Sequence, residues 1–160
     1  NVNFKYIYKQ INQKRSKGMI KRTAKAVWQG DLKNGHGKMA FGSGAFEGKY
    51  SFTSRFEDGT GTNPEELIGA AHAGCFSMAL SSDLSKAGYV VDEINTEAIV
   101  SIEKGESGFG ISRIKLVTFA NVRDIEMEEF SKIASAAKKN CPVSRALASV
   151  DIYLEAHLLK

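Results

Sequence analysis

The chain has 160 residues, 42% hydrophobic, 25% charged and 9% aromatic, the ordinary usage of a single globular domain. Two cysteines exclude a disulfide-dense scaffold and a four-thiolate zinc site, and no stretch approaches the ~18 uninterrupted apolar residues of a membrane helix. The net charge of +4 excludes less, because residues 1–18 carry Lys5, Lys9, Lys14, Arg15 and Lys17 with no acid, leaving 17 basic against 18 acidic side chains in the rest.

Residues 1–18 read as a basic N-terminal arm or leader, and Met19 as a natural start, so the domain is expected over 19–160. The arm interleaves Tyr6 and Tyr8 with lysines but carries no nucleic-acid reading motif. Neither a nucleic-acid nor a membrane partner is expected. Phe4 to Tyr8 is too short and too interrupted for a secretory signal. The expectation is a cytoplasmic protein whose thiols are reduced at rest, so that cysteines with a role are catalytic or redox-active.

Strand signals follow. Thr23–Trp28 alternates weakly, Asn34-Gly35 marks a turn, and Lys38–Phe41 runs into the breaker Gly42-Ser43-Gly44. Tyr50–Phe56 alternates cleanly, which predicts a strand with Tyr50, Phe52, Ser54 and Phe56 on one face and Arg55 on the other. Asn63, Pro64 and Glu66 have the spacing of a helix start. The helix is predicted from Pro64 to Lys86–Ala87, ending at Gly88. Gly69, Ala70, Ala71, Ala73 and Gly74 put small side chains all around it, which predicts a central helix approached by backbone from several sides. Asn95–Glu103 and Ile111–Asn121 form a hairpin around Gly105–Gly110. Glu126–Lys139 is an amphipathic helix with Met127, Phe130, Ile133, Ala134 and Ala137 on one side. Val143–Ala148 makes a short helical turn, and Val150–Leu159 closes the chain as a strand. The class is α+β, with no linker that splits the domain.

Cys75 falls mid-helix on a stripe with Ile68, Ala71, Met78 and Ala79, where a cysteine is often a small core hydrophobe. Cys141 precedes Pro142 at a helix junction. There it can cap the next turn, whose free N–H groups and dipole favour a thiolate. As a pair they suit a dithiol in which one thiolate attacks a peroxide and the other resolves the sulfenic acid. His72 shares a helix face with Cys75 at i, i+3, which leaves a Cys–His acyl-transfer or hydrolase dyad as an alternative. A noncatalytic binding module with a basic arm is another. The histidines and cysteines have no zinc spacing, and no phosphate-binding glycine loop is present.

The run from Ser54-Arg55-Phe56 through Gly61-Thr62-Asn63-Pro64-Glu65-Glu66 to Ala73-Gly74-Cys75-Phe76-Ser77-Met78 resembles the OsmC/Ohr family of thiol peroxidases. Asn140-Cys141-Pro142-Val143-Ser144 resembles that family's second-cysteine motif, and Val27–Asp31 its OsmC branch. The resemblance implies an OsmC-like fold, with antiparallel sheets packed around a buried central helix in an intertwined homodimer. It implies reduction of organic hydroperoxides, and more weakly of hydrogen peroxide. Cys75 matches the peroxidatic cysteine and Cys141 the resolving one, while Arg55 and Glu65 match the pair that serves the reactive thiol. No metal or organic cofactor is implied, and the implied partner is an external dithiol, typically of lipoyl type.

Physical chemistry sets a condition on this resemblance. A thiol among apolar side chains has its pKa raised, so a reactive Cys75 needs a fixed cation beside it. A guanidinium at ~4 Å contributes on the order of 4 kcal/mol at an effective dielectric of 20, about three pKa units. Glu65 can hold that guanidinium in a bidentate pair. Yet Glu65 precedes Cys75 by ten residues, about 15 Å along a straight helix. Either the helix breaks near Gly69, or Glu65 and Arg55 serve Cys75 of a partner chain, and the second is the expectation here.

Overall fold

The computed structural model describes residues 18–106 and 108–159, and the proposed arm, apart from Gly18, lies outside the described residues. The chain forms two compact units, the first ending at Gly61 and the second spanning Thr62–Lys160.

In the first unit β1 (Ala24–Gln29), β2 (His36–Phe41) and β3 (Glu47–Ser51) make an antiparallel sheet in that order. The β1–β2 turn is built on Asp31, whose Oδ1 accepts from the N–H groups of Lys33 and Asn34, each at 3.0 Å. Trp28 donates its indole N–H to Gly30 O at 2.9 Å and packs on Tyr50 with ring centroids 5.2 Å apart.

The strand predicted over Tyr50–Phe56 stops at Ser51, and Phe52–Phe56 is a short helix, α1. The cause is a reciprocal cap. Ser51 Oγ accepts from the Ser54 N–H at 3.2 Å, and Ser54 Oγ accepts from the Ser51 N–H at 2.9 Å. Serine side chains that satisfy backbone locally release it from a sheet ladder. Coiling brings Phe52 and Phe56 together at i, i+4, 5.0 Å between centroids. Arg55 therefore sits on a helical turn, with its guanidinium carbon 5.0 Å from the Phe56 ring centroid.

The second unit opens with α2 (Pro64–Lys86). Its ends match their sequence signals. Asn63 Oδ1 accepts from the Glu66 N–H at 2.8 Å, and Pro64 starts the first turn. The Glu66 carboxylate accepts from Thr62 Oγ1 at 3.2 Å. At the other end the Tyr89 N–H reaches Leu84 O and the Gly88 N–H reaches Ser85 O, both at 3.1 Å. This is a Schellman stop, and Gly88 adopts the left-handed φ of 91° that it requires.

A three-stranded sheet, β4 (Val91–Gly105), β5 (Gly108–Val122) and β6 (Asp151–Leu159), lies against α2 in that strand order. The β4–β5 hairpin is the predicted one, longer at both ends. An all-antiparallel sheet is not what forms, because β6 pairs parallel to β5 from Arg113↔Asp151 to Asn121↔Leu159. The connection between them holds two helices, α3 (Met127–Asn140) and α4 (Pro142–Ala146). A connection of that length carries the chain back to the start of its neighbour, as a tight turn cannot.

Gly69, His72, Phe76, Leu80 and Leu84 form the buried stripe of α2. Gly69 permits the approach to β4, since a Cβ there would lie 3.2 Å from Ala98 O. Phe76, Leu80 and Leu84 join Leu116 and Ala120 from β5 and Phe130 from α3 in one core. Each large side chain in it contributes roughly 1.5–3 kcal/mol. Met127, expected with Phe130, is exposed instead. Within the chain the expected burial of α2 is found on one side only. On the other, Ala70, Ala71, Gly74 and Ser82 are exposed and Met78 is 76% exposed. Small residues leave that face smooth; they do not bury it.

Candidate active site

The two cysteines, 66 residues apart, come together in the second unit with their Sγ atoms 3.2 Å apart, and both are free thiols. Cys75 stands on α2 beside the buried stripe and is only partly buried, whereas Cys141 is 0% exposed. A small solute can therefore reach the first but not the second. Cys141 ends α3 and caps α4, since Pro142 starts a new helix immediately after it.

This junction sets the electrostatics. Burial pushes the Cys141 pKa up, but the Ser144 N–H, the Cys75 thiol, the Ser144 hydroxyl and the Val143 N–H together bring it below the ordinary thiol value. Cys75 moves the other way. Burial raises it, the Val143 N–H opposes, and its interaction with Cys141 raises it further. Within the single chain Cys141 is thus the more acidic thiol of the pair. The rise at Cys75 is the one expected for a thiol that apolar surroundings desolvate.

His72 is fully buried, and its Nε2 lies 2.8 Å from Ser144 Oγ, while Nδ1 has no partner. With Nε2 paired to Ser144 and Nδ1 bonded to nothing, the alternative Cys75–His72 dyad is not formed. Burial holds His72 below the usual imidazole pKa. In the unfolded chain His72 takes up a proton as the pH falls below ~6.5. The folded chain resists that proton, so stability is fully present above ~6.5 and declines by up to ~1.4 kcal/mol per pH unit below it, down to the folded pKa. In urea unfolding at pH 7.5, 6 and 5, His72→Gln should lose less stability than wild type as the pH drops. Parallel losses would show that His72 does not carry the effect.

Glu65 is buried, 7% exposed, in the first turn of α2. The helix continues without a break from Pro64 to Lys86, which removes a bend at Gly69 as a route from Glu65 to Cys75 of the same chain. Arg55 is exposed on α1 in the first unit. Phe76, next to the thiol along the chain, is 0% exposed in the core and unavailable to a ligand. Ser144 is a member of the site that the sequence marks only through the second-cysteine motif. Its position three residues after the N-cap residue Cys141 is the signal that locates it. Among the described residues no three His, Cys, Asp or Glu side chains converge as a metal site, and no helix is long and apolar enough to cross a membrane.

The family model described as OsmC-like protein matches residues 57–155. The chain belongs to the OsmC family. It is 46% identical over 129 residues to Peroxiredoxin OsmC of Escherichia coli K12, covering 80% of this chain and 90% of that protein. It is 36% identical over 100 residues to the organic hydroperoxide resistance protein OhrB of Bacillus subtilis, covering 62% of this chain and 72% of that protein. The crystal structure of B. subtilis OhrB superposes with a TM-score of 0.63 at 29% identity, over 84% of this chain and 97% of that one. In this OsmC-family chain the matched segment holds both cysteines and Glu65, while Arg55 lies two residues before it.

Proposed function

We propose that this OsmC-family chain is a cysteine-based peroxidase that reduces organic hydroperoxides, and hydrogen peroxide more weakly, at Cys75. The observation that carries this reading is the 3.2 Å separation of two free thiols, the outer one accessible. Cys75 attacks the terminal peroxide oxygen, the O–O bond breaks, and the alcohol leaves as Cys75 becomes a sulfenic acid. Cys141 condenses with it, releasing water and forming the Cys75–Cys141 disulfide, and an external dithiol restores both thiols. The curated relatives named peroxiredoxin and organic hydroperoxide resistance protein support this chemistry. The half-buried Ile68 and exposed Met78 on the same helix stripe as Cys75 favour substrates with an apolar tail, at ~25 cal/mol per Å² buried. A cycle that starts from two reduced thiols fits a reducing compartment such as the cytoplasm.

For Cys75 to be the attacking thiolate, its pKa must be brought down against the effect of burial, and a guanidinium supplies the needed field. We assign that role to Arg55, held by Glu65, acting on Cys75 of a second copy in a homodimer. Two observations support the assignment. The unbroken helix keeps Glu65 about 15 Å along the axis from its own Cys75. The small-residue face of α2 at Ala70, Ala71 and Gly74 is open for the backbone of another copy.

Peroxide consumption with dihydrolipoamide, comparing cumene hydroperoxide with hydrogen peroxide, tests the activity. Faster consumption of the organic peroxide is expected, with a Cys75–Cys141 disulfide in peptide mass spectra. No consumption of either removes the proposal. Mixing unfolded Arg55→Ala and Cys75→Ser chains and refolding them tests the shared site. If the site spans two copies, activity returns to about a quarter of wild type, from one working site in each mixed dimer. No recovery places Arg55 and Cys75 in the same chain.

A further inference from the structure

His72 is a buried titratable side chain that the reaction above does not use. It lies 0% exposed on the core stripe of α2, its Nε2 is 2.8 Å from Ser144 Oγ, and its Nδ1 has no partner. Ser144 is itself buried, three residues after Cys141 on the first turn of α4. Cys141 in turn touches Cys75 at 3.2 Å. The Ser144 hydroxyl is one of the groups that lower the Cys141 pKa, so the side chains run in series from His72 through Ser144 and Cys141 to Cys75. A polar atom buried without a partner is rare in a folded protein and calls for a reason.

The reason follows from counting protons. A serine hydroxyl has one proton to donate. Directed at Cys141 Sγ, that proton obliges His72 to carry its own on Nε2 and to donate it to Ser144 Oγ. Nδ1 is then a bare lone pair, which accounts for the atom without a partner. The ring is neutral in this arrangement, as its buried position favours. Without His72, the hydroxyl could rotate and present a lone pair to the sulfur instead.

We propose that His72 and Ser144 are positioning residues for the resolving half of the cycle: His72 Nε2–H orients the Ser144 hydroxyl so that its proton faces Cys141 Sγ and favours the thiolate that attacks the Cys75 sulfenic acid. This rests on the assignment of Cys75 and Cys141 made above. In the step, the Cys141 sulfur is oxidised and the sulfenic sulfur reduced as the S–S bond forms and the S–O bond breaks. The departing hydroxide takes up one proton, from solvent or from Cys141 if it began as a thiol, and leaves as water.

The groups around the series add no competing charge among the described residues. Glu65 lies on the same stripe about two turns before His72. Glu97 on β4, Lys139 on α3 and Arg145 on α4 are exposed, and Lys138 donates to Ile152 O at 2.9 Å. Cys75 is the titratable group in contact with Cys141.

The test compares Ser144→Ala, His72→Leu and His72→Gln in the full-length chain. Glutamine can place an N–H near the position of Nε2. After one equivalent of cumene hydroperoxide, stopped-flow kinetics with timed thiol trapping separates sulfenic acid formation at Cys75 from disulfide closure. Ser144→Ala and His72→Leu should slow closure on the order of tenfold, and His72→Gln should restore most of it. Thiolate absorbance in a Cys75→Ser background reads Cys141 by itself, and Ser144→Ala should move its midpoint up by about one pH unit. Closure at the wild-type rate in both Ser144→Ala and His72→Leu, or a Cys141 midpoint that Ser144→Ala leaves in place, overturns the proposal. If the wild-type chain forms no sulfenic acid, the peroxidase reading fails, and the Cys141 midpoint alone still decides whether Ser144 acts on that sulfur. If His72→Leu does not fold, the nearly isosteric Ser144→Ala decides.

Discussion

Cys75→Ser abolishes turnover, lowering peroxide consumption with dihydrolipoamide by on the order of 10³-fold or more. A serine hydroxyl at neutral pH is a far weaker nucleophile than a thiolate, and it would need an adjacent base to remove its proton. Cys141 cannot substitute. Its thiolate is the favoured one within the chain, yet it is 0% exposed and lies behind Cys75. The variant should fold normally, because the change is one atom at a partly buried position. Thermal unfolding checks the fold, and a peroxide assay over several hours checks the rate. Consumption within tenfold of wild type would move the chemistry to Cys141 and reverse the two roles.

Cys141→Ser has a different signature. One equivalent of peroxide per chain is consumed at close to the wild-type rate, and the reaction then stalls. The sulfenic acid at Cys75 has lost the thiol held 3.2 Å away, so no intramolecular disulfide forms, and further peroxide drives it to the sulfinic acid. Steady turnover should fall at least tenfold, since an external dithiol at millimolar concentration replaces a thiol whose effective molarity is orders of magnitude higher. Mass spectra after excess peroxide should show the sulfinic form at Cys75 in this variant and the disulfide in the wild type. Undiminished steady turnover would take Cys141 out of the cycle. The two substitutions together separate attack from resolution, which neither does by itself.

The candidate site is legible in part because helix ends are local chemistry. Asn63, Pro64 and Glu66 lie next to the backbone groups they satisfy, so the start of α2 can be read from adjacent residues, and Gly88 marks its end in the same way. Cys141 before Pro142 is legible as a cap for the same reason. Tyr50–Phe56 misleads because alternation is also what two aromatic residues at i, i+4 and two serines at i, i+3 produce, and the Ser51–Ser54 cap decides between them. The small residues of α2 suggest burial on every side. They report only that a close approach is permitted, and within one chain the approach happens at Gly69 while Gly74 faces open space.

From sequence alone come the boundaries of α2, the β4–β5 hairpin, the pairing of Cys75 with Cys141 as the chemical candidates, and the family resemblance. Those follow from side chains acting on backbone a few residues away, or from a motif long enough to be specific. The parallel course of β6, the unequal exposure of the two thiols and the His72–Ser144 contact are decided by tertiary structure. Each joins segments tens of residues apart, and local preference carries no information on which distant segment a strand or a ring nitrogen will meet. The transfer of acidity from Cys75 to Cys141 belongs with them, since it depends on α4 directing its free N–H groups at a sulfur that the core has already brought beside α2.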